Sequence, residues 1–228
     1  MKIIGNPKEV NEQLIERIKK IQLKKVSSED ALRSQFLHET SHHSSVLDCG
    51  LSLRNYAGEV KQKSKIFETL DINEFEDYPD YLVDVCDVDS MKIFRGKYDY
   101  VTAFSLLEHC HEPFKAASNL FSALKRGGKL FGSAPFLFPR HGPKDLVYQD
   151  FWRFSRDSYA ILFPEASKIT LYPLRGRVGT ALNVLSLRYR FVLETKVSWL
   201  ASSINRLAAS KGHELQSSGY GFIIEREA

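Results

Sequence analysis

Residues 98–134 read YDYVTAFSLLEHCHEPFKAASNLFSALKRGGKLFGSA. The segment opens with an apolar run at 98–104, and residues 112–124 follow with apolar side chains at helical spacing. A Gly-Gly pair then marks the end of the predicted helix, and a second apolar run covers 129–134. A strand, a crossover helix and another strand in this order form a unit in which the two strands run parallel. This stretch therefore predicts an α/β protein.

The same alternation of short apolar runs with helix-like segments extends in both directions from this unit. Upstream strand candidates are 45–50, 64–71 and 81–86, and downstream candidates are 169–174 and 220–225. We therefore predict a doubly wound, mostly parallel sheet of Rossmann-like type. We divide the chain into an N-terminal helical extension at 1–43 and a main domain at 44–228, with a helical insertion at about 178–210 before the last strand.

Composition narrows the class of protein. The 228 residues are 43% hydrophobic and 26% charged, which is an ordinary globular balance and argues against a fibrous or disordered chain. Three widely spaced cysteines argue against a disulfide-stapled secreted domain. The polar start predicts no signal peptide, and we expect a cytoplasmic protein. The net charge of +4 does not call for nucleic acid, so we expect no nucleic-acid partner.

Acidic residues accompany three successive strand candidates. Asp48 lies in the first, Asp71 ends the second and Asp87 follows the third. A carboxylate at the end of the second strand can accept hydrogen bonds from two ribose hydroxyls, and one after the third can accept from an adenine amine. Aspartate also ends strands because it favours turns, but three in this order favour a nucleoside site.

Residues 46–163 resemble the class I S-adenosylmethionine (SAM)-dependent methyltransferases. The resemblance rests on five motifs in family order, namely 46–50, 70–72, 86–89, 98–113 (with Leu107-Glu108-His109 and Pro113) and 124–130. It implies SAM as cofactor. The cofactor-binding residues that it implies are Asp48, Gly50, Ser52, Asp71, Ile72, Asp87, Val88 and Ser105.

The first loop departs from the family pattern G-x-G-x-G, because this chain reads Gly50-Leu51-Ser52-Leu53-Arg54. Glycines at these positions let the backbone approach the methionine part of the cofactor. Ser52 is a small substitute, and the charge of Arg54 could meet the cofactor carboxylate. A catalytically inactive binding or scaffold protein with the same fold is therefore the main alternative to an enzyme.

The segment after the fifth strand resembles a bacterial subgroup with the pattern PFxxPxH…DYWRFT, here residues 135–141 and 150–155. Members of that subgroup often accompany cell-surface glycan biosynthesis. The resemblance implies O-methylation of a sugar, a glycan or another small polar acceptor. We predict His141 as the general base. Asp150 and Arg153 are predicted to bind the substrate, to orient His141 or to form a structural ion pair.

Two further patterns raise the question of a metal. His38-Glu39-Thr40-Ser41-His42 spells H-E-x-x-H, which on a helix binds zinc, so a zinc hydrolase is a lesser alternative. A strand candidate begins only four residues later, which leaves little helix for such a site. His109-Cys110-His111 matches no trusted zinc spacing. We therefore expect no metal-binding residues.

The predicted insertion at 178–210 is helical, with basic residues among apolar ones. A lid or packing pair of helices is the simplest interpretation. A homodimer face and a membrane-surface contact, useful for a lipid-linked glycan, are the alternatives.

Overall fold

The computed structural model describes residues 7–142, 148–176, 179–181 and 217–228. Its helices are α1 (Pro7–Lys20), α2 (Glu29–Glu39), α3 (Ala57–Lys63), α4 (Val88–Met91), α5 (Pro113–Ala123) and α6 (Tyr159–Leu162). Its strands are β1 (Gln22–Leu23), β2 (Ser45–Cys49), β3 (Ile66–Asp71), β4 (Tyr81–Leu82), β5 (Tyr98–Phe104), β6 (Leu124–Pro135), β7 (Lys168–Leu174) and β8 (Gly219–Glu225).

The strands form one sheet in the order β1-β7-β8-β6-β5-β2-β3-β4. Every neighbouring pair is parallel except those that include β8, which runs antiparallel to β6 and β7. The predicted mostly parallel sheet is confirmed. The chain leaves β2 towards β3 on one side and reaches β5 on the other, so the strand order reverses between β2 and β5. Ligands in such sheets bind beyond the carboxyl ends of the strands at this reversal.

Both faces of the sheet are covered, as a doubly wound fold requires. Side chains alternate across β5, so that Val101 and Ala103 join the core beneath α5 and α6, whereas Tyr100 and Phe104 join the core beneath α2 and α3. Side chains of β2 alternate in the same way, with Leu47 on the first face of the sheet and Val46 on the second. Burial on two sides explains why these strands read as nearly continuous apolar runs.

The third strand candidate, 81–86, is shorter than predicted, because β4 covers only Tyr81–Leu82. The chain turns directly afterwards. The carboxylate of Asp84 accepts a hydrogen bond from the backbone N–H of Cys86 at 2.8 Å, and the carboxylate of Asp87 then caps α4. Short polar side chains that bond their own backbone favour such turns over extended strand.

The Gly127-Gly128 pair does not end a helix. Helix α5 ends at Ala123, and β6 starts at Leu124. A Cβ on Gly128 would lie 3.1 Å from the carbonyl oxygen of Asp99, so glycine is needed here for a close approach of the β6 backbone to β5. The pairing register of β5 with β6 shifts between Tyr98 and Tyr100.

The N-terminal residues contribute to the same sheet. Helix α1 begins at Pro7 and lies in the predicted helical extension, but β1 was not predicted and pairs with β7 at the sheet edge. Helix α2 is capped by Ser28, whose hydroxyl accepts from the N–H of Ala31 at 3.1 Å. Its Leu32 and Phe36 are fully buried against the sheet.

The predicted insertion at 178–210 lies outside the described residues except for 179–181. Its roles as lid, dimer face or membrane contact stay predictions. Within the described part of the chain, no helix combines the length and apolarity needed to cross a membrane.

Candidate functional site

A cavity of about 390 Å³ opens at the carboxyl ends of β2 and β5, where the strand order reverses. Gly50 follows β2 and Ser105 follows β5, and both line it together with Asp71 and Ile72 at the end of β3. The volume lies in the range of small-molecule sites. We call it the cofactor cavity.

The loop after β2 keeps a glycine-like conformation with only one glycine. Gly50 has φ +73°, and a Cβ there would lie 2.8 Å from Leu106 Cδ1. Leu51 and Arg54 both have φ +51°, a region that side chains other than glycine rarely adopt. Leu51 donates its backbone N–H to Tyr78 Oη at 2.7 Å. The fold therefore imposes this loop geometry on residues that do not favour it, as is common at functional sites.

Asp48 and Ser52 hold this loop from beneath and do not line the cofactor cavity. The buried carboxylate of Asp48 accepts from the hydroxyls of Ser52 at 2.5 Å and Thr102 at 2.7 Å. Burial raises the pKa of Asp48, and these hydrogen bonds oppose the effect only in part. Arg33 Nε donates to the carbonyl of Ser52 at 2.9 Å, which ties the loop to α2.

Asp71 lies on the cavity wall at the end of β3. Its Oδ1 accepts from the backbone N–H of Asn73 at 2.8 Å and from the Asn73 amide at 3.2 Å. These bonds hold the carboxylate at the strand end and turn the chain, so that Ile72 also reaches the cavity.

Asp87 and Val88, the residues predicted for adenine, do not line this cavity; Asp84 and Val85 do. The carboxylate of Asp87 serves α4, since its Oδ1 accepts from the N–H of Asp89 at 2.9 Å and its Oδ2 from the hydroxyl of Ser90 at 2.9 Å. These hydrogen bonds lower the pKa of Asp87.

A second cavity, of about 410 Å³, lies on the other side of Ser105, which lines both. We call it the acceptor cavity. Its charged and hydroxyl-bearing lining residues are Ser27, Ser28, Glu29, Asp30, Arg33, Arg54, Ser105, Glu108, His141, Arg175 and Ser218. Ser105 has φ +54°, so the shared residue is itself in the left-handed region.

Glu29, at the start of α2, is fixed by hydroxyls from the sheet. Its Oε1 accepts from Ser133 at 2.6 Å and Ser105 at 3.1 Å, and Arg33 lies 3.0 Å from its other oxygen. Burial alone would raise the pKa of Glu29, but these hydrogen bonds and the Arg33 charge outweigh it and lower the pKa. Glu29 therefore presents a negative charge to the acceptor cavity.

Three titratable side chains meet at the boundary of the two cavities. Glu108 lines the acceptor cavity and His109 the cofactor cavity, because they are neighbours on one helical turn after β5. His141 reaches the same point from the loop after β6, with its Nε2 3.6 Å from Glu108 Oε1. The Glu108 carboxylate raises the pKa of His141 against the opposing effect of burial. We call Glu108, His109 and His141 the junction cluster.

Asp150 and Arg153 brace the loop that carries His141. The Asp150 carboxylate pairs with the Arg153 guanidinium through contacts of 2.5 and 2.7 Å, and it accepts from the backbone N–H of His141 at 2.7 Å. Arg153 also donates to the carbonyls of Phe138 and Pro139, each at 3.0 Å. The hydrogen bonds from Arg153 lower the pKa of Asp150 to about 2. Asp150 and Arg153 were predicted to bind the substrate, to orient His141 or to form a structural ion pair. These contacts favour the orientation of His141.

The H-E-x-x-H pattern forms no helical metal site. Helix α2 ends at Glu39, and Thr40 is extended, so His38 and His42 do not lie one turn apart on a helix face. Glu39 pairs instead with Lys129 at 2.7 Å. Among the described residues, neither histidine belongs to a group of three clustered metal-ligating side chains.

No protein-family model matches the chain, and no curated protein sequence matches it. Solved structures do match. A SAM-dependent methyltransferase from Archaeoglobus fulgidus is 14% identical with a TM-score of 0.51, over 88% of this chain and 95% of that one. Phosphoethanolamine N-methyltransferase 2 from Haemonchus contortus, solved with SAM, is 13% identical with a TM-score of 0.53, over 88% of this chain and 52% of that one. The [4+2]-cyclase SpnF is 14% identical with a TM-score of 0.53, over 87% and 81%.

The chain has the class I methyltransferase fold. This confirms the predicted fold. Because a [4+2]-cyclase is also similar, the methyltransferase fold by itself does not determine the reaction, which must be argued from the site residues.

Sequence reasoning missed several residues of the two cavities. Glu29 of the acceptor cavity and Tyr78, which accepts from the Leu51 N–H beside the cofactor cavity, carry no local signal, because only the folded sheet brings them to the site. For Asp87, a signal was available, since an aspartate three residues before Ser90 is a typical helix cap.

Proposed function

We propose that this protein is a SAM-dependent methyltransferase that acts on an oxygen of a small polar acceptor, such as a sugar or glycan hydroxyl. The observation that carries the proposal is the meeting of two cavities at Ser105, with the junction cluster at their boundary. A donor site and an acceptor site that share a wall place two reactants next to each other, which is the main requirement for group transfer.

The residues of the cofactor cavity fit SAM, which would supply a methyl group activated on a sulfonium. Gly50 leaves room beside Leu106 that a Cβ would fill. Asp71 places a carboxylate at the end of the strand next to the reversal, where it can accept hydrogen bonds from ribose hydroxyls. We assign Ile72, Asp84 and Val85 to the adenine side. Asp48 and Ser52 act on the cofactor through the loop that they hold.

The acceptor cavity favours a polar molecule. Its serine hydroxyls and charged side chains can hydrogen-bond a polyhydroxyl compound. A sugar hydroxyl is a weak acid, so its methylation requires help with loss of the proton. We assign this help to the junction cluster, with His141 as the proton acceptor in the metal-free protein. Asp150 and Arg153 keep the His141 loop in place.

Isothermal titration with SAM and with its demethylated product S-adenosylhomocysteine (SAH) tests the cofactor site. We expect micromolar binding by the wild type and at least about 100-fold weaker binding by Asp71→Ala, because two charge-assisted hydrogen bonds of about 1.5–3 kcal/mol each are removed. A screen of nucleotide sugars and glycans for SAH release would then identify the acceptor.

The alternative is an inactive protein that keeps the methyltransferase fold as a scaffold. The departures from the G-x-G-x-G pattern motivate it, whereas the glycine-like conformations of Leu51 and Arg54 argue for a functional loop. A folded wild type that binds neither SAM nor SAH would support the scaffold.

A cytoplasmic location belongs to the same proposal, since Cys49, Cys86 and Cys110 are all free thiols, as in a reducing compartment.

A further inference from the structure

Glu108 is the most unusual side chain of the junction cluster. It is fully buried, at 0% exposure, and neither carboxylate oxygen accepts a hydrogen bond from any of the described residues. Its nearest possible cations are the imidazoles of His141 and His109, at 3.6 and 3.9 Å, and a buried carboxylate without hydrogen bonds is strongly unfavourable. Buried charges of this kind are normally paired or coordinate a metal ion.

The two histidines are arranged as metal ligands. His109 Nδ1 lies 2.8 Å from the carbonyl oxygen of Gln149 and must donate to it, which leaves the lone pair on Nε2. His141 Nδ1 lies 3.4 Å from Asp150 Oδ2 but makes no hydrogen bond there, so the Asp150 carboxylate acts on the imidazole by its charge and on the backbone N–H of His141 by a hydrogen bond. The two Nε2 atoms lie 3.9 Å (His109) and 3.6 Å (His141) from Glu108 Oε1, too far for hydrogen bonds. Metal-binding histidines are typically held by a carbonyl or carboxylate through the other ring nitrogen, as His109 is by Gln149.

We propose that Glu108, His109 and His141 bind one divalent transition-metal ion at the boundary of the two cavities. The three ligand atoms lie within 4.8 Å of one another. Metal–ligand bonds of about 2.1 Å in tetrahedral geometry place ligand atoms about 3.4 Å apart, so binding needs only a small contraction. Two imidazoles and one carboxylate suit zinc, cobalt or iron better than magnesium or calcium. Three protein ligands leave a coordination position for a further molecule, as in catalytic sites.

The role of the ion in the reaction rests on the proposed function. Glu108 and His141 both line the acceptor cavity, so the open coordination position can take an acceptor hydroxyl. A hydroxyl on such an ion would lose its proton to water at a lower pH than a free hydroxyl. The oxygen would keep the electron pair that forms the O–CH3 bond, while the S–CH3 bond of SAM would break and SAH would leave with the sulfur electron pair. With the ion bound, His141 is a ligand and not the proton acceptor.

A second group of metal-ligating side chains supplies the control. Asp84, Cys86 and His111 also lie within 4.8 Å of one another. Their partners differ from those of the junction cluster, since the Asp84 carboxylate accepts from the N–H of Cys86 and His111 is 58% exposed. His111→Ala removes a histidine two residues from His109 without touching the junction cluster.

The test is titration of the metal-stripped full chain with Zn²⁺ by calorimetry and with Co²⁺ by its visible absorption. We expect one ion per chain, with affinity at least ~10-fold weaker in Glu108→Gln and in His141→Ala, and unchanged in His111→Ala. Asp150→Asn weakens the contacts with the His141 backbone and Arg153 that position His141, and it should weaken binding by about 10–100-fold. Thermal melting and SAH binding establish that each variant is folded.

Absence of Zn²⁺ and Co²⁺ binding in a wild type that binds SAH would overturn the metal site. So would binding that survives Glu108→Gln but disappears in His111→Ala. If the protein binds the metal but methyl transfer is undiminished in the presence of a chelator, the metal site stands and its role with the acceptor hydroxyl is refuted. Metal binding without SAH binding would refute the proposed function and leave the metal site standing.

Discussion

Replacement of Glu108 by glutamine should stabilise the metal-free protein. The carboxylate is fully buried and lacks hydrogen-bond partners among the described residues, and a buried ion without partners costs several kcal/mol. His141, 3.6 Å away, offsets part of this cost when it is protonated. The neutral amide of glutamine in the same place costs about 1–3 kcal/mol. We therefore expect a net gain of about 1–2 kcal/mol.

Thermal unfolding measures this gain. For 228 residues, an unfolding entropy of about 0.5 kcal/mol/K converts it into a Tm increase of about 2–4 °C. The measurement is made in the presence of a chelator. Saturating Zn²⁺ should reverse the order, since an ion at a hundred times its Kd stabilises the wild type by about 2.7 kcal/mol and the variant much less.

Glu112→Gln is the matched control, because Glu112 lies four residues on and its side chain is 45% exposed. Its Tm should change by less than the equivalent of about 0.5 kcal/mol. A Tm for Glu108→Gln below that of the wild type in chelator would refute the reasoning. It would mean that the carboxylate stabilises the native state by itself, as a structural partner of its neighbours.

Three further substitutions test other parts of the site. Asp150→Asn should lower the free energy of unfolding by about 1–2 kcal/mol at pH 7. Because the pKa of Asp150 is lowered to about 2 in the folded state, this difference should shrink as the pH falls from about 4 to about 2, in urea unfolding at a series of pH values. Tyr78→Phe leaves the N–H of Leu51 without its acceptor, and SAH should bind with about fivefold lower affinity by calorimetry; equal affinity would remove Tyr78 from the site. Arg33→Met removes a guanidinium that is 1% exposed and bonds Glu29, Asp30 and the Ser52 carbonyl, and should cost about 2–3 kcal/mol in denaturant unfolding. A loss below about 0.5 kcal/mol would show that Arg33 does not hold the loop.

The order of strands and helices could be predicted from the sequence because it depends on local patterns. Apolar runs that end in turn residues predicted the central strands, and helical spacing predicted α5 to within a residue at each end. Glycine after β2 and aspartate at the end of β3 are also local features, and both residues line the cofactor cavity. Local hydrogen bonds were decisive where the prediction missed, since the turn at Asp84 and the cap at Asp87 exchanged the residues that reach the cavity.

The sequence by itself determined the α/β class and, through the aspartates at successive strand ends, the end of the sheet where a ligand lies. Only the tertiary structure decided that Glu29 from α2 reaches the acceptor cavity and that His141 meets Glu108 and His109. Glu29, the Glu108-His109 pair and His141 lie far apart along the chain and share no periodic pattern. Their contacts depend on the order of β5 and β6 in the sheet and on a loop braced by Asp150 and Arg153. A strand pattern predicts which face a side chain takes, whereas a site between loops forms only when the packed sheet sets the distances between them.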